Sequence, residues 1–568
     1  MQSPVPDLLQ TTAALSPSQS KTIREFLTHS AEPELARLEA EVERLQGLLA
    51  TATAARDAQK SFTDAHRALL APIHNVPEDV LRLIFLETLP RNRDAALAPD
   101  EGPLLVAQIC RFWRNMALNT PRLWASMNVS IPRAPPGGHS AKVSASSSPA
   151  MLGMVSLWLQ RSGTVPLSIT LSAVPGDIHF RVPRDLQQLL VSNAARWRSL
   201  RVPLYYNVAT IHRLAALTGA QLPQLQELSA YHMDAGSWND PSAGWGLGGA
   251  PNLRSLTFRG HMAALSAVCA WAQLLKLHLV LCSGDISSTM NGLFVLPLHI
   301  LEGCPLLEDL CFEWNGPAAH VVLPETPTTL TLLKLSRLAM HGIPSYILTS
   351  LSKRVDWHNV EAVAITFPRY APSPLDYTWN VTSVIRVGIT SLQLSGSHVR
   401  TDTLLEILDA LPMIVELSLG QEPDQQPQMT TSLLGPDYDR DVSFLQHLTA
   451  SDDDEIYCPR LRRIRLQNLS AVSDATIVEF LLSRLESRDS EVATLSHASF
   501  GIVRERQLDI PAKLRQAKDE GRELDALAWL QLSTQYPVPE KRAVYSPKDG
   551  IPDDDPVEDG FVFSLACA

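Results

Sequence analysis

The chain has 568 residues with a 45% hydrophobic content, that of a folded soluble protein with room for about three or four ordinary domains, or one short module and a long repeat array. A net charge of -12 and a pI near 5.7 offer no basic face to a nucleic acid and make proteins the expected partners. Seven cysteines, at 110, 269, 282, 304, 311, 458 and 567, form no C-x-x-C pair and no disulfide framework, so a reducing compartment is expected, cytoplasm or nucleus.

Residues 1–20 are rich in Pro, Ser, Thr and Gln, and a disordered tail is expected over residues 1–30. No basic residue precedes a hydrophobic block there, which argues against a secretory signal, so the Asn-x-Ser/Thr sites at Asn128, Asn380 and Asn468 are expected to stay bare. Over residues 31–70 a helix is expected, because Leu35, Leu38, Val42, Leu45, Leu49 and Ala52 step by three and four amid Arg37, Glu39, Glu41, Glu43 and Arg44. This seam is shorter than the ~3 to 4 heptads of a dependable coiled coil. Two fates stay open: pairing with a second copy or, more simply, folding back through Phe62, Leu69 and Leu70 on the helices that follow.

Those helices lie in residues 73–127. Pro77 suits a first helical position, Glu78 and Asp79 place negative charge at the positive end of the dipole, and Val80, Leu81, Ile84 and Phe85 fall at helical spacing. After a polar break from Pro90 to Pro103, Leu105, Val106, Ile109, Cys110, Trp113, Met116 and Ala117 predict a second helix, stopped by Thr120 and Pro121. So short a segment cannot bury this much apolar surface alone and needs a neighbour.

Val76-Pro77-Glu78-Asp79-Val80-Leu81 with Ile84-Phe85, Cys110-Arg111-Phe112-Trp113-Arg114, and the trailing Asn119 to Trp124 resemble the F-box, most closely that of the large fungal F-box family. Val76 stands where Leu is commoner, and the break is longer than in a compact F-box. The resemblance implies docking on a Skp-type adaptor and so on a cullin ubiquitin ligase, through Val76, Pro77, Glu78, Val80, Leu81, Ile84, Phe85, Ile109, Cys110 and Trp113. The plainer alternative is that these helices cap the rest of the chain.

Residues 131–150 are almost wholly Pro, Gly, Ser and Ala, a linker. Val165 to Ser172 alternates as a strand. A theme then recurs over residues 151–500: apolar, two others, apolar, one other, apolar, often led in by proline, as at Leu222-Pro223 and Cys304-Pro305. Its middle residues are Leu200, Leu228, Leu256, Leu277, Leu310, Leu333, Val363, Leu392, Leu417 and Ile464, spaced 28, 28, 21, 33, 23, 30, 29, 25 and 47. All but the last are near the ~20 to 29 residues of a leucine-rich repeat, and the irregular leucine-rich repeats that often follow an F-box are what they resemble. Thr403 to Leu411 and Ser473 to Leu485 read as returning helices, and residues 421–457 as an acidic insertion. The last segment, 501–568, reads as one helix, Ala512 to Leu530, and an acidic tail. The expected fold is therefore an α+β or α/β solenoid: N-terminal and F-box helices, then an irregular repeat array.

No constellation carries catalysis, a cofactor or a metal. Gly244 to Gly249 has G-x-G-x-x-G spacing but neither follows a strand nor opens a helix. His278 with Cys282, or Cys304 with Cys311, lacks a second close pair for a metal. The apolar run Leu265 to Cys282 is broken by Gln273, Lys276 and His278, which argues against a membrane span. What remains is surface: side chains between the inward markers form one strand face with Arg201, Glu227, Arg259, Lys276, His278, Asp309, Glu313, Lys334, Gln393, Glu416, Arg463 and Arg465. Its mixed charge suits a protein substrate. The expected function is a substrate-recruiting ligase subunit, and the alternative a repeat scaffold without ligase function.

Overall fold

A computed structural model describes residues 3–6, 9, 15–70, 72–131, 149–173, 182–202, 212–231, 246–259, 269–281, 294–295, 298–314, 321–322, 330–343, 350–351, 353–356, 358–366, 388–395, 401–420, 443–449, 457–469, 472–486 and 492–536. The chain falls into two compact units, Met1–Leu81 and Arg82–Ala568. The first is helical. Helix α1 (Pro17–Phe26) starts at Ser16, whose hydroxyl accepts from the Gln19 amide while the Gln19 side chain accepts from the Ser16 amide. Residues 17–30 are therefore helical where a tail was expected, because a capping box and Pro17 at the first position outweigh their polar composition.

Between α1 and α2 (Glu32–Leu69), the turn Leu27–Ala31 widens to π geometry. Pro33 accounts for it: with no N–H to donate and a ring that crowds the preceding turn, it forces the ladder to open just upstream. At ~1.5 Å per residue, the 38 residues of α2 reach about 57 Å. Its surface carries the pairs Arg37–Glu34 and Arg44–Glu41, both at 2.7 Å. The seam of Leu35, Leu38, Val42, Leu45 and Leu49 is 49% to 68% exposed.

The second unit is built on a sheet. In chain order the strands are β1 (Ser126–Ile131), β2 (Leu167–Ala173), β3 (Trp197–Val202), β4 (Glu227–Tyr231), β5 (Ser255–Arg259), β6 (Lys276–Leu281), β7 (Phe294–Val295), β8 (Asp309–Trp314) and β9 (Val321–Val322). They continue as β10 (Leu330–Thr331), β11 (Arg337–His341), β12 (Val355–Asp356), β13 (Ala362–Thr366), β14 (Ser391–Ser395), β15 (Glu416–Leu419), β16 (Arg463–Leu469), β17 (His497–Ile502) and β18 (Gln531–Gln535). Fourteen of them form one parallel sheet in chain order, and β7 with β9 and β10 with β12 make two-stranded side pairs. Each main strand joins the one before it in sequence, a solenoid-like α/β arrangement in which a repeat buries its apolar residues only by stacking on its neighbours.

Register fixes which residues face inward. Leu200, Leu228, Leu256, Leu277, Leu310, Leu338, Val363, Leu392, Leu417 and Ile464 pair in one column across successive strands. A second column two residues on, including Phe258, Leu279, Phe312, Met340, Ile365 and Leu394, is buried with it. One expected marker is wrong. Leu333 lies in a turn and is 71% exposed, while the strand of that repeat is Arg337–His341 with Leu338 in the column. Lys334, placed on the strand face by the same misreading, is an exposed turn residue. The sheet also outruns its expected limits at both ends. It opens at β1, inside the segment read as helices, and closes at β18.

The C-terminal helix is Ile510–Asp519 rather than Ala512 to Leu530. Asp509 caps it, and Gly521, at φ +99, provides the left-handed residue that ends it and turns the chain toward β18. The returning helices Thr401–Asp409 and Asp474–Leu485 lie where expected. Of the expected linker 131–150, residue 131 ends β1 and residues 149–150 start helix α6 (Pro149–Arg161), with the rest outside the described residues. Most of the acidic insertion and the acidic tail also lie outside them. Among the described residues no helix is long and apolar enough to cross a membrane.

Candidate functional site

Three short helices stand ahead of the sheet. Helix α3 (Glu78–Glu87) begins in the first unit and continues into the second. The expected single helix from Leu105 to Ala117 is two, α4 (Val106–Ile109) and α5 (Arg111–Leu118), because Cys110 between them is extended at φ -156, ψ 171. Its sulfur accepts from the Trp113 amide at 3.4 Å, so Cys110 serves as the N-cap of α5. The rings of Phe85 and Trp113 meet at 4.7 Å and hold α3 on α5.

This packing sorts the motif residues by helical phase. Leu81 and Phe85, both expected as adaptor contacts, are 1% and 0% exposed within the chain. They are four residues apart and so share the inward stripe. Val76 and Trp113 are half-buried, while Pro77, Glu78 and Cys110 are exposed. Val80 stays open on α3, and in the second unit Leu83, Ile84, Leu105, Ile109 and Phe112 are 40% to 60% exposed. Leu83, Leu105 and Phe112 were not among the expected contacts. The i, i+4 rule could have found Leu83, since the helix that buries 81 and 85 turns 83 outward.

The polar break between α3 and α4 packs on the first strand. The Asn128 amide donates to the Ala95 carbonyl at 2.7 Å, and Ala96 bridges Asn128 in parallel. Buried Asp94 accepts from the Ser126 hydroxyl at 2.7 Å and the Thr170 hydroxyl at 2.6 Å, while Arg93 grips Glu101 at 2.8 Å. Trp124 donates to the Ala117 carbonyl at 2.8 Å and meets Trp158 of α6 edge-on at 4.9 Å. Sequence pattern missed this belt because its contacts join residues up to 76 positions apart.

The second candidate surface is the polar strand face. Register aligns Arg201, Ser229, Thr257, His278, Cys311, Ala339, Ala364, Gln393, Ser418 and Arg465 in one row. A flanking row contains Glu227, Lys276, Asp309, Arg337, Glu416 and Arg463. Charges pair across strands, Arg201 with Glu227 at 3.8 Å and Arg337 with Asp309 at 2.9 Å, and the His278 imidazole lies 3.5 Å from the Glu313 carboxylate. Burial pushes the Glu416 carboxyl up, against the pull of Arg463 and Arg465 on the next strand. Lys276 is exposed and Gln393, Arg463 and Arg465 are half-buried, while the Arg259 side chain lies outside the described residues.

The glycine run has a packing role. Gly246–Gly249 form a tight turn beside Gly219–Gln221, so close that a Cβ on Gly219 would collide with the Gly249 carbonyl. Among the described residues no group of three His, Cys, Asp or Glu is placed to hold a metal ion. Compared with known proteins, the chain matches no family model and no curated protein.

Proposed function

We propose that this protein is an F-box-type substrate-recruiting subunit: its helices at 78–118 hold a Skp-type adaptor of a cullin ligase, and its leucine-rich-repeat-like strand face receives a protein substrate. In this reading it has no catalytic residue, cofactor or metal of its own. One observation supports it most: Ile84, Ile109 and Phe112 stay open to solvent on helices that carry the F-box-like residues and are otherwise closed by Phe85 and Trp113. Large apolar side chains held open on a packed scaffold fit a partner protein.

The test is capture of a purified Skp-type adaptor by the full chain and by an Ile109→Asp, Phe112→Asp variant. Both residues are exposed, so the melting temperature is expected to hold while binding weakens by about 2 kcal/mol or more, near thirty-fold. Undiminished binding by a folded variant would refute the site. A repeat scaffold without ligase function is the rival reading, and the burial of Leu81 and Phe85 within the chain favours it. Point substitutions separate the two better than deleting residues 73–127, which would remove Trp124, Met127 and the start of β1 with the helices. A scaffold would retain its role in the Asp variant.

A further inference from the structure

We propose that Cys311, at the centre of the strand face, is a reactive thiol set between two imidazoles and open to oxidation by small hydroperoxides. The inference does not rest on the adaptor reading. His278 on β6 is the direct register partner of Cys311 on β8, and His341 on β11 is the partner of Glu313, two residues further along the same face. The thiol therefore has an imidazole on the strand at each side. In its own row the next residues are Ala339 and Ala364, both buried, so no large side chain crowds it from that direction.

Both imidazoles are oriented by second partners. His278 Nε2 lies 3.5 Å from Glu313 Oε2. His341 Nδ1 shares a proton at 2.8 Å with the Thr366 hydroxyl, which is 2.6 Å from that of Ser395. This leaves Nε2 of His341, on a side chain only 4% exposed, with the Cys311 thiol as its one polar neighbour among the described residues. An imidazole anchored through one nitrogen, with the other turned to a thiol, is built to take that thiol's proton. Burial alone would push the Cys311 thiol up, but the charges and hydrogen bonding of His278 and His341 outweigh it and bring it to about 7. Burial pushes the thiols of Cys304 and Cys458, which have no such flank, up to about 12.

The step balances without a further reactant. An imidazole takes the thiol proton, the thiolate sulfur attacks one peroxide oxygen, an S–O bond forms and the O–O bond breaks. The departing hydroxide or alkoxide takes the proton back from the imidazolium. Cys311 ends as a sulfenic acid, and the peroxide is reduced to water or an alcohol. At 9% exposure the residue admits only a small oxidant.

The experiment uses the full chain in dilute hydrogen peroxide at pH 7, quenched over time, then unfolded, alkylated and read peptide by peptide by mass spectrometry. Cys311 is expected to lose its free thiol at least about ten-fold faster than Cys304 and Cys458, with a gain of one oxygen. In His341→Gln its rate is expected to fall about ten-fold while those of Cys304 and Cys458 stay unchanged. Should the variant unfold, Cys304 and Cys458 would speed up together, and the comparison within the unsubstituted chain decides alone. Oxidation of Cys311 no faster than that of Cys304 and Cys458 would overturn the proposal.

Discussion

Asp474 shows how one side chain can fasten a repeat. It is fully buried at the start of the helix Asp474–Leu485, where its carboxylate meets Arg504 at 2.7 Å and accepts from the amides of Gln507 at 2.7 Å and Leu508 at 2.8 Å. Burial alone would raise its pKa, but these donors together outweigh it and hold the carboxyl below the ordinary aspartate range. A depressed folded value gives stability that is present above the unfolded pKa of ~3.9 and lost as pH falls through the folded one. Asp474→Asn is therefore expected to cost about 3 kcal/mol in urea unfolding at pH 7, with the gap from the unsubstituted protein closing as pH falls from 5 toward 2. A gap independent of pH would exclude the charge as its source. Nothing local marked Asp474 in the sequence, where it reads as one more acid near a helix start, because its partners come 30 and more residues later. Ile84 and Phe85 make the same point: both fit the apolar stripe, and only packing against Trp113 decides that one is covered and the other open.

Elements were legible where local pattern and pairing agree. Strands around Leu228, Leu256 or Leu417 carry their triads at the edge of a proline-led turn, and their neighbours pair in that register. The repeat after β8 differs because two phases compete. Leu330-x-x-Leu333-x-Leu335 matches the theme as well as Leu338 and Met340 do, and the local pattern cannot choose. The adjacent strands choose, since Leu338 pairs with both Leu310 and Val363. The marker spacing then becomes 28 and 25 residues in place of 23 and 30, closer to the rest of the array. Leu338→Ala is expected to destabilise by about 3 kcal/mol and Leu333→Ala by no more than about 0.5 kcal/mol. Equal losses in chemical unfolding would restore the other phase. Cys110 is the helical counterpart: its neighbours have helical periodicity, yet its own backbone is extended and its sulfur restarts the helix.

Across the whole molecule, a parallel sheet whose strands follow chain order gives each repeat only its two neighbours to lean on, so stability is a sum of local terms rather than one cooperative quantity. Unfolding is then expected in stages. Trp124, Trp158 and Trp197 are all buried at the β1 end, so in a variant whose other eight tryptophans are replaced by phenylalanine, fluorescence reports on that end while far-ultraviolet dichroism averages the array. Midpoints in urea from the two probes are expected to differ, and coincident curves would mean the sheet melts as one body. The belt from Arg93 to Glu101 has a mechanical sequel at this scale. Through Asp94, Asn128 and the Trp124–Trp158 contact, α4 and α5 are tied to the first two strands without a swivel between them. Anything that gripped Ile109 and Phe112 would have hold of a handle set rigidly on the sheet, and cargo seated further along the strands would ride at a distance counted in whole repeats from that grip.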